Sequence, residues 1–165
     1  MKELRYTLLS DGPSDQALIP ILTWLLRSLR VQCAIQPAWA DLWRLRQPVG
    51  TLSDKIRWSL YLYPCDLLFI HRDAEKEPRQ VRVTEIQKAL AEVPAAVSMP
   101  RAVCVVPVRM QEAWLIFNEA AIRRAAGNPH GQQPLSLPPV RDLEDLPDPK
   151  NDLYELLREA SGLKG

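Results

Sequence analysis

Apolar residues in this chain form short runs of strand length that alternate with segments of helical spacing. The first run, residues 4–10, predicts a strand that stops at residues 11–13, where Asp-Gly-Pro ends extended structure. Ser14 follows as a candidate cap for a helix whose apolar positions recur every three or four residues. Because Pro20 lies beyond the first turn of a helix that begins at Asp15, we expect either a kink or a later start near Ile19.

The same alternation continues to the end of the chain. Apolar runs and helical spacing predict three further strands and four further helices: strands at 31–36, 66–70 and 102–106, and helices at 53–63, 84–93, 110–126 and 152–160. Residues 37–49, with Trp39 and Trp43, predict a loop or a broken helix. Strands that alternate with helices favour a mainly parallel sheet with helices on both faces and right-handed crossovers. The sequence therefore predicts an α/β fold of Rossmann-like type.

A change of composition marks residues 127–149, which are rich in proline, glycine and polar residues. Loops of that length inside a compact domain are usually lids, binding loops or linkers. The length of 165 residues, 47% of them hydrophobic, predicts a single domain over residues 1–165 with this loop inside it. The chain stops soon after Gly162, which fits either a natural end or a truncated C-terminus.

The charge balance limits the partners that the chain can attract. Lys and Arg number 21 and Asp and Glu number 20, so the net charge of +1 provides no broad positive field, and any contact with nucleic acid must come from a local basic patch. No GxxxxGK[ST] motif occurs, so nucleotide hydrolysis by this chain is not expected.

The cysteines and the apolar runs bear on location. Cys33, Cys65 and Cys104 are odd in number and widely spaced, which fits neither a disulfide framework nor a zinc ribbon. The N-terminus shows no leader pattern, and no apolar stretch reaches the roughly 18 residues that a membrane span needs. We therefore expect a soluble, cytoplasmic protein with no membrane partner.

Acidic residues follow two of the predicted strands. Asp11 and Asp15 come after the first strand, and Asp73 and Glu75 come after the strand at 66–70. Ligands of open α/β sheets collect beyond the carboxyl ends of the strands, and Mg²⁺ prefers the oxygen ligands that carboxylates supply. The pattern predicts metal-dependent phosphoryl transfer, with Asp15 either a ligand or an acid that favours a helix N-terminus.

Four motifs together resemble one family. Residues 8–15, LLSDGPSD, resemble the strand-and-turn signature of Toprim domains, in which an acid precedes glycine and a second acid follows. Residues 73–75, DAE, resemble their paired-acid motif. With Pro107 through Glu112-Ala113-Trp114-Leu115 and with residues 148–150, DPK, the chain is similar to the Toprim-like group named domain of unknown function 4276 and to the nuclease half of OLD proteins.

The resemblance implies a Toprim-like parallel sheet, a site for one or two Mg²⁺ or Mn²⁺ ions, and cleavage of DNA or RNA at a phosphodiester. It also implies a place in anti-phage defence beside a separately encoded ATPase. Two positions differ from the family, since Asp11 stands where glutamate is usual and Glu75 where aspartate is usual. The implied catalytic residues are Asp11, Asp73, Glu75 and Lys150, and the implied metal ligands are Asp11, Asp73, Glu75, Glu112 and Asp15.

Several of these residues have a second interpretation. Glu112 also fits an acid in the first turn of a helix, and Lys150 also fits a salt bridge or a surface charge. His71 is either a base or outer partner of Asp73, or a packed histidine.

Two other functions are open at this point. One is a non-catalytic subunit on the same fold that binds a partner through its tryptophan-rich segment and the proline-rich loop at 127–149, with Trp39, Trp43 and Trp58 as anchors. The other is a receiver-type domain with Asp73 as phosphoacceptor and Lys150 as its late lysine.

Overall fold

The computed structural model describes residues 3–45, 49–75, 77–108 and 110–163. Its contacts divide the chain into two compact units. The first comprises Met1–Arg72 and Glu77–Val106, and the second comprises Asp73–Lys76 and Pro107–Gly165. The single domain over residues 1–165 stays a prediction.

The first unit contains a four-stranded sheet in which every pairing is parallel. Its strands are β1 (Glu3–Leu9), β2 (Ala34–Trp39), β3 (Leu67–His71) and β4 (Arg101–Val105), in the order β2-β1-β3-β4. Helices alternate with these strands along the chain, so the predicted α/β fold is confirmed.

The strand order reverses direction between β1 and β3. The chain moves from β1 to β2 on one side of the sheet and then returns to place β3 on the other side of β1. Leu8 therefore pairs with Trp39 on one side and with Phe69 on the other. Such a reversal opens a crevice at the carboxyl ends of the two central strands, where ligands of α/β sheets bind.

The burial of the central strands explains why they could be predicted from the sequence. Residues 6–9 of β1 and residues 68–71 of β3 are all buried, as expected of parallel strands covered on both faces. The edge strand β2 is more exposed, and it holds Pro37 opposite Tyr6. It begins later than predicted, because residues 31–33 are not part of the strand.

The first helix has the late start that Pro20 predicts. A short 3-10 helix (Pro13–Ala17) precedes α1 (Leu18–Ser28), which puts Pro20 in the first turn of α1, where its missing N–H group costs nothing. Arg30, two residues after the end of α1, adopts a left-handed φ of 61°. The Arg30 amide donates to the Arg27 carbonyl at 2.9 Å and the Val31 amide donates to the Leu26 carbonyl at 3.2 Å. This is a Schellman ending with arginine in the place that glycine usually occupies.

Two more helices complete the first unit. Helix α2 (Leu52–Leu62) starts at Thr51, whose hydroxyl oxygen accepts from the Asp54 amide at 3.1 Å. Helix α3 (Arg79–Ala91) begins earlier than the predicted residue 84. The predicted loop or broken helix at 37–49 contains the end of β2 and a short 3-10 helix (Leu42–Arg44), while residues 46–48 lie outside the described residues.

In the second unit, the prediction of one continuous helix over residues 110–126 is wrong. A 3-10 helix (Gln111–Leu115) and α4 (Glu119–Ala125) replace it. The Asn118 side chain accepts from the Ala121 amide at 2.9 Å and so starts a new helix in the middle of the apolar period.

The proline-rich segment 127–149 also has more structure than predicted. It contains a 3-10 helix (Val140–Asp145), and α5 (Pro149–Ser161) follows it with Asp148 as its cap. Within the second unit, a buried cluster joins this segment to its helices: Ile116, Ile122, Leu143, Leu156 and Ala160. The segment thus contributes Leu143 to a core.

No helix in the described ranges combines the length and hydropathy that crossing a membrane requires.

Candidate functional site

The loop after β1 carries a buried carboxylate. The Gly12 amide donates to Asp15 Oδ2 at 3.0 Å, and the Ser14 hydroxyl donates to Asp15 Oδ1 at 3.4 Å. His71, the last residue of β3, places its Nδ1 atom 3.4 Å from Asp15 Oδ2. The side chains of Asp15 and His71 are 8% and 1% exposed. We call this the inner pair; it joins the loop after β1 to the end of β3.

The surroundings of Asp15 favour its ionised form. Burial acts to raise the pKa of Asp15, but the hydrogen bonds from His71, Gly12 and Ser14, together with the charge of His71, outweigh it and the pKa is lowered. The carboxylate oxygens therefore already have donors, and these contacts favour a positioning role for Asp15 over that of a metal ligand. Burial likewise favours the packed interpretation of His71.

A second acid on the same loop points to solvent. The side chain of Asp11 is 44% exposed, and its Oδ2 atom lies 2.7 Å from Arg72 Nε. Arg72 Nη1 lies 2.7 Å from Glu85 Oε1, and Arg82 Nη1 lies 3.1 Å from Glu85 Oε2. We call Asp11 and Arg72 the outer pair. It keeps a guanidinium group and a half-exposed carboxylate together at the carboxyl edge of β1 and β3.

A cavity of about 310 Å³ lies beside Asp11 in the first unit. Trp39 Nε1 donates to Ser10 Oγ at 2.9 Å, and Ser10 Oγ donates to the Gly12 carbonyl at 3.2 Å. These hydrogen bonds hold the start of the loop after β1 against β2. The lining combines apolar side chains with an acid, a hydroxyl and an amine: Ser10, Asp11, Ala40, Leu42, Trp43, Leu45, Val49 and Lys55.

The remaining acids and the lysine from the sequence analysis belong to the second unit. Asp73 is partly buried, and Glu75 is exposed with a left-handed φ of 56°. Glu112 lies in the first turn of its 3-10 helix, and Lys150 is an exposed residue in the first turn of α5.

A metal site needs several donor side chains close together. Over residues 3–45, 49–75, 77–108 and 110–163, no group of three or more His, Cys, Asp or Glu side chains could hold a metal ion. A Mg²⁺ ion that keeps several waters needs only one or two carboxylates beside a substrate phosphate. Asp11 fits that need better, because it is half exposed and only its Oδ2 atom contacts a cation, that of Arg72. Asp15 does not fit, because it is buried and both of its oxygens accept hydrogen bonds.

Comparison with protein family models, with curated proteins and with solved structures gave no match. The Toprim-like assignment therefore stays a prediction from the motifs.

Sequence reasoning gave no role to Arg72 or Lys55. For Arg72 a signal was present, since it lies between His71 and Asp73 at the end of an apolar run. For Lys55 there was none, because only the packing of α2 in the first unit brings it to the cavity.

Proposed function

We propose that this protein is a metal-dependent phosphodiester-cleaving protein that acts on DNA or RNA. One observation carries the proposal: Asp11, a half-exposed carboxylate at the point where the strand order reverses, is held beside a guanidinium group. A carboxylate that can bind Mg²⁺ or Mn²⁺ and a guanidinium that can bind phosphate oxygens are two complementary parts of a phosphodiester site. On the motifs alone, we extend the proposal to anti-phage defence beside a separate ATPase.

The residues of the first unit have separable roles in this proposal. Asp11 would hold the metal, which when bound polarises the phosphoryl oxygens and lowers the pKa of a bound water. Arg72 would turn from Asp11 to a phosphate oxygen as substrate enters, while Glu85 keeps hold of its other edge. The inner pair takes no part in bond breaking and fixes the loop that carries Asp11.

The roles of the second-unit residues rest on the motifs. By resemblance, Asp73, Glu75 and Glu112 match acids of the family's metal-binding motifs, and Lys150 matches a late lysine that would stabilise charge in the transition state.

The test combines calorimetric titration of Mn²⁺ with a cleavage assay on single- and double-stranded DNA and RNA. We expect Asp11→Asn and Asp73→Ala to lose cleavage, and Asp11→Asn to weaken Mn²⁺ binding by at least about tenfold. Asp66→Asn is the matched control, because Asp66 is 45% exposed and pairs with an arginine, Arg5, but precedes β3 and so lies at the opposite edge of the sheet. Wild-type protein that neither binds Mn²⁺ nor cleaves would refute the proposal.

A second candidate function is partner binding without catalysis, favoured by an aromatic surface on α2. The rings of Trp58 and Tyr61 meet edge to face with centroids 5.8 Å apart, and the guanidinium of Arg57 lies 6.0 Å from the Trp58 ring. Arg and aromatic residues of this kind anchor protein interfaces. Trp39 is no such anchor, since it is partly buried and bonded to Ser10.

Co-purification with the proposed ATPase partner separates the two candidates. In a binding subunit, Trp58→Ala should lose the ATPase while Asp11→Asn keeps it. Trp24→Ala serves as the control, because Trp24 is an exposed tryptophan on α1. Retention of the ATPase by Trp58→Ala would exclude this surface.

A further inference from the structure

The cavity beside Asp11 has the size and lining of a small-ligand site. Its volume of about 310 Å³ is at the lower end of the range for such sites, which are mostly apolar with a few convergent polar groups. Leu42, Leu45 and Val49 contribute apolar wall, and Asp11 and Lys55 contribute opposite charges. The ligand that matches is a flat ring with apolar faces, attached to an anion.

We propose that this cavity binds one nucleotide of the substrate, with its base on Trp43 and its phosphate on Lys55. The inference rests on the proposed function, because it names the part of the substrate that the same site takes. A base reaches such a cavity only when it is unstacked, so the preferred substrate class is single-stranded DNA or RNA.

Trp43 provides the surface for the base. Trp43 is 71% exposed although it lines a cavity, so much of its indole ring is accessible to a ligand. Every base has a π-face, and stacking on an exposed aromatic ring binds bases with little sequence preference.

Lys55 provides the cation. It lies in the first turn of α2, and none of the ion pairs among the described residues involves its ammonium group. A lysine acts on a phosphate as a compact point charge, which suits contact with a backbone that passes the cavity mouth. Lys55 also balances the negative charge that Asp11 brings to the same cavity.

The test is equilibrium binding of a labelled single-stranded DNA decamer, measured in EDTA and again with Ca²⁺ so that cleavage does not interfere. We expect Trp43→Ala to weaken binding by about tenfold or more, and Trp43→Phe to restore most of the loss. Lys55→Gln should weaken binding several-fold and flatten its dependence on salt. The duplex of the same sequence should bind more weakly than the single strand.

Matched controls use side chains outside the cavity. Trp24→Ala removes an indole that is 66% exposed, and Lys88→Gln removes an exposed lysine of α3; both should change binding by less than about twofold. An equal loss in Trp24→Ala and Trp43→Ala, tighter binding of duplex, or no binding in either buffer would overturn the inference.

The outcomes also separate this inference from the proposed function. Suppose that decamer binding depends on Trp43 but no cleavage occurs when Mn²⁺ is added. This result would refute the proposed nuclease activity and support nucleotide binding in the cavity. Cleavage that is unchanged in Trp43→Ala and Lys55→Gln would support the nuclease activity and refute nucleotide binding in the cavity.

Discussion

The inner and outer pairs belong to one loop and have opposite surroundings. Asp15 of the inner pair is closed off from solvent, accepts hydrogen bonds from Gly12 and Ser14, and lies 3.4 Å from His71 Nδ1. Asp11 of the outer pair is half exposed and contacts one guanidinium group. Removing one partner of a buried pair leaves an uncompensated group, while an exposed pair is screened by water. The buried acid therefore maintains the loop, and the exposed acid is the one that can exchange partners.

The largest expected effect is the loss of the inner pair. We expect Asp15→Ala to lower the free energy of unfolding by about 3 kcal/mol, because His71 and the Gly12 amide would lose a buried acceptor. Asp11→Ala should lower it by less than about 1 kcal/mol. Urea denaturation monitored by tryptophan fluorescence measures both. Equal losses in the two variants would break the distinction between the pairs.

A smaller effect is expected from pH. The folded state lowers the pKa of Asp15, so the unfolded chain binds a proton more readily than the folded one. The ionised carboxylate then stabilises the fold above its usual pKa of 3.8, and this contribution is lost as the pH falls through the lowered folded pKa. The free energy of unfolding should decrease below about pH 4, by at most about 1.4 kcal/mol per pH unit for this group.

Comparison with Asp15→Asn isolates that contribution. Asp54 and Asp66 also have lowered pKa values, but they are present in both proteins and cancel in the difference. Parallel stability curves for wild type and Asp15→Asn below pH 4 would contradict the expected role of Asp15.

The smallest expected effect is a gain in the free energy of unfolding at Arg30, and it is similar in size to the loss expected for the outer pair. At Arg30, where φ is 61°, Arg30→Gly removes the strain of a left-handed side chain and should raise the free energy of unfolding by roughly 0.5–1 kcal/mol. Arg30→Ala keeps that backbone conformation strained and should bring no such gain. If urea denaturation resolves these two variants, it also resolves the small loss expected for Asp11→Ala.

The strands and the first helix could be predicted because their signals are local. The predicted strand at 66–70 matches β3 (Leu67–His71) within one residue, since a strand buried on both faces is a continuous apolar run. The late start of α1 followed from the ring of Pro20. The break before α4 also has a local signal, which is the capping residue Asn118. The apolar period runs through this break, so the period alone predicts one continuous helix.

The contacts of the site could be predicted only in part. The sequence placed Asp11 and Asp15 after the first strand, and the structure bears out that position. Their partners depend on strand order, because His71 and Arg72 reach this loop only since β3 lies next to β1. Nothing in a single sequence states which strands are neighbours, so the distinction between a buried and an exposed acid could not be foreseen.

Pro37 has a consequence for self-association. The exposed edge of a sheet is a template on which a strand of another molecule can add, and proline interrupts that template because it has no amide hydrogen to donate. In β2 the proline lies near the middle of the sheet's outer strand, opposite Tyr6 of β1. This edge is thus protected against aggregation by a residue that the interior of the sheet could not have tolerated.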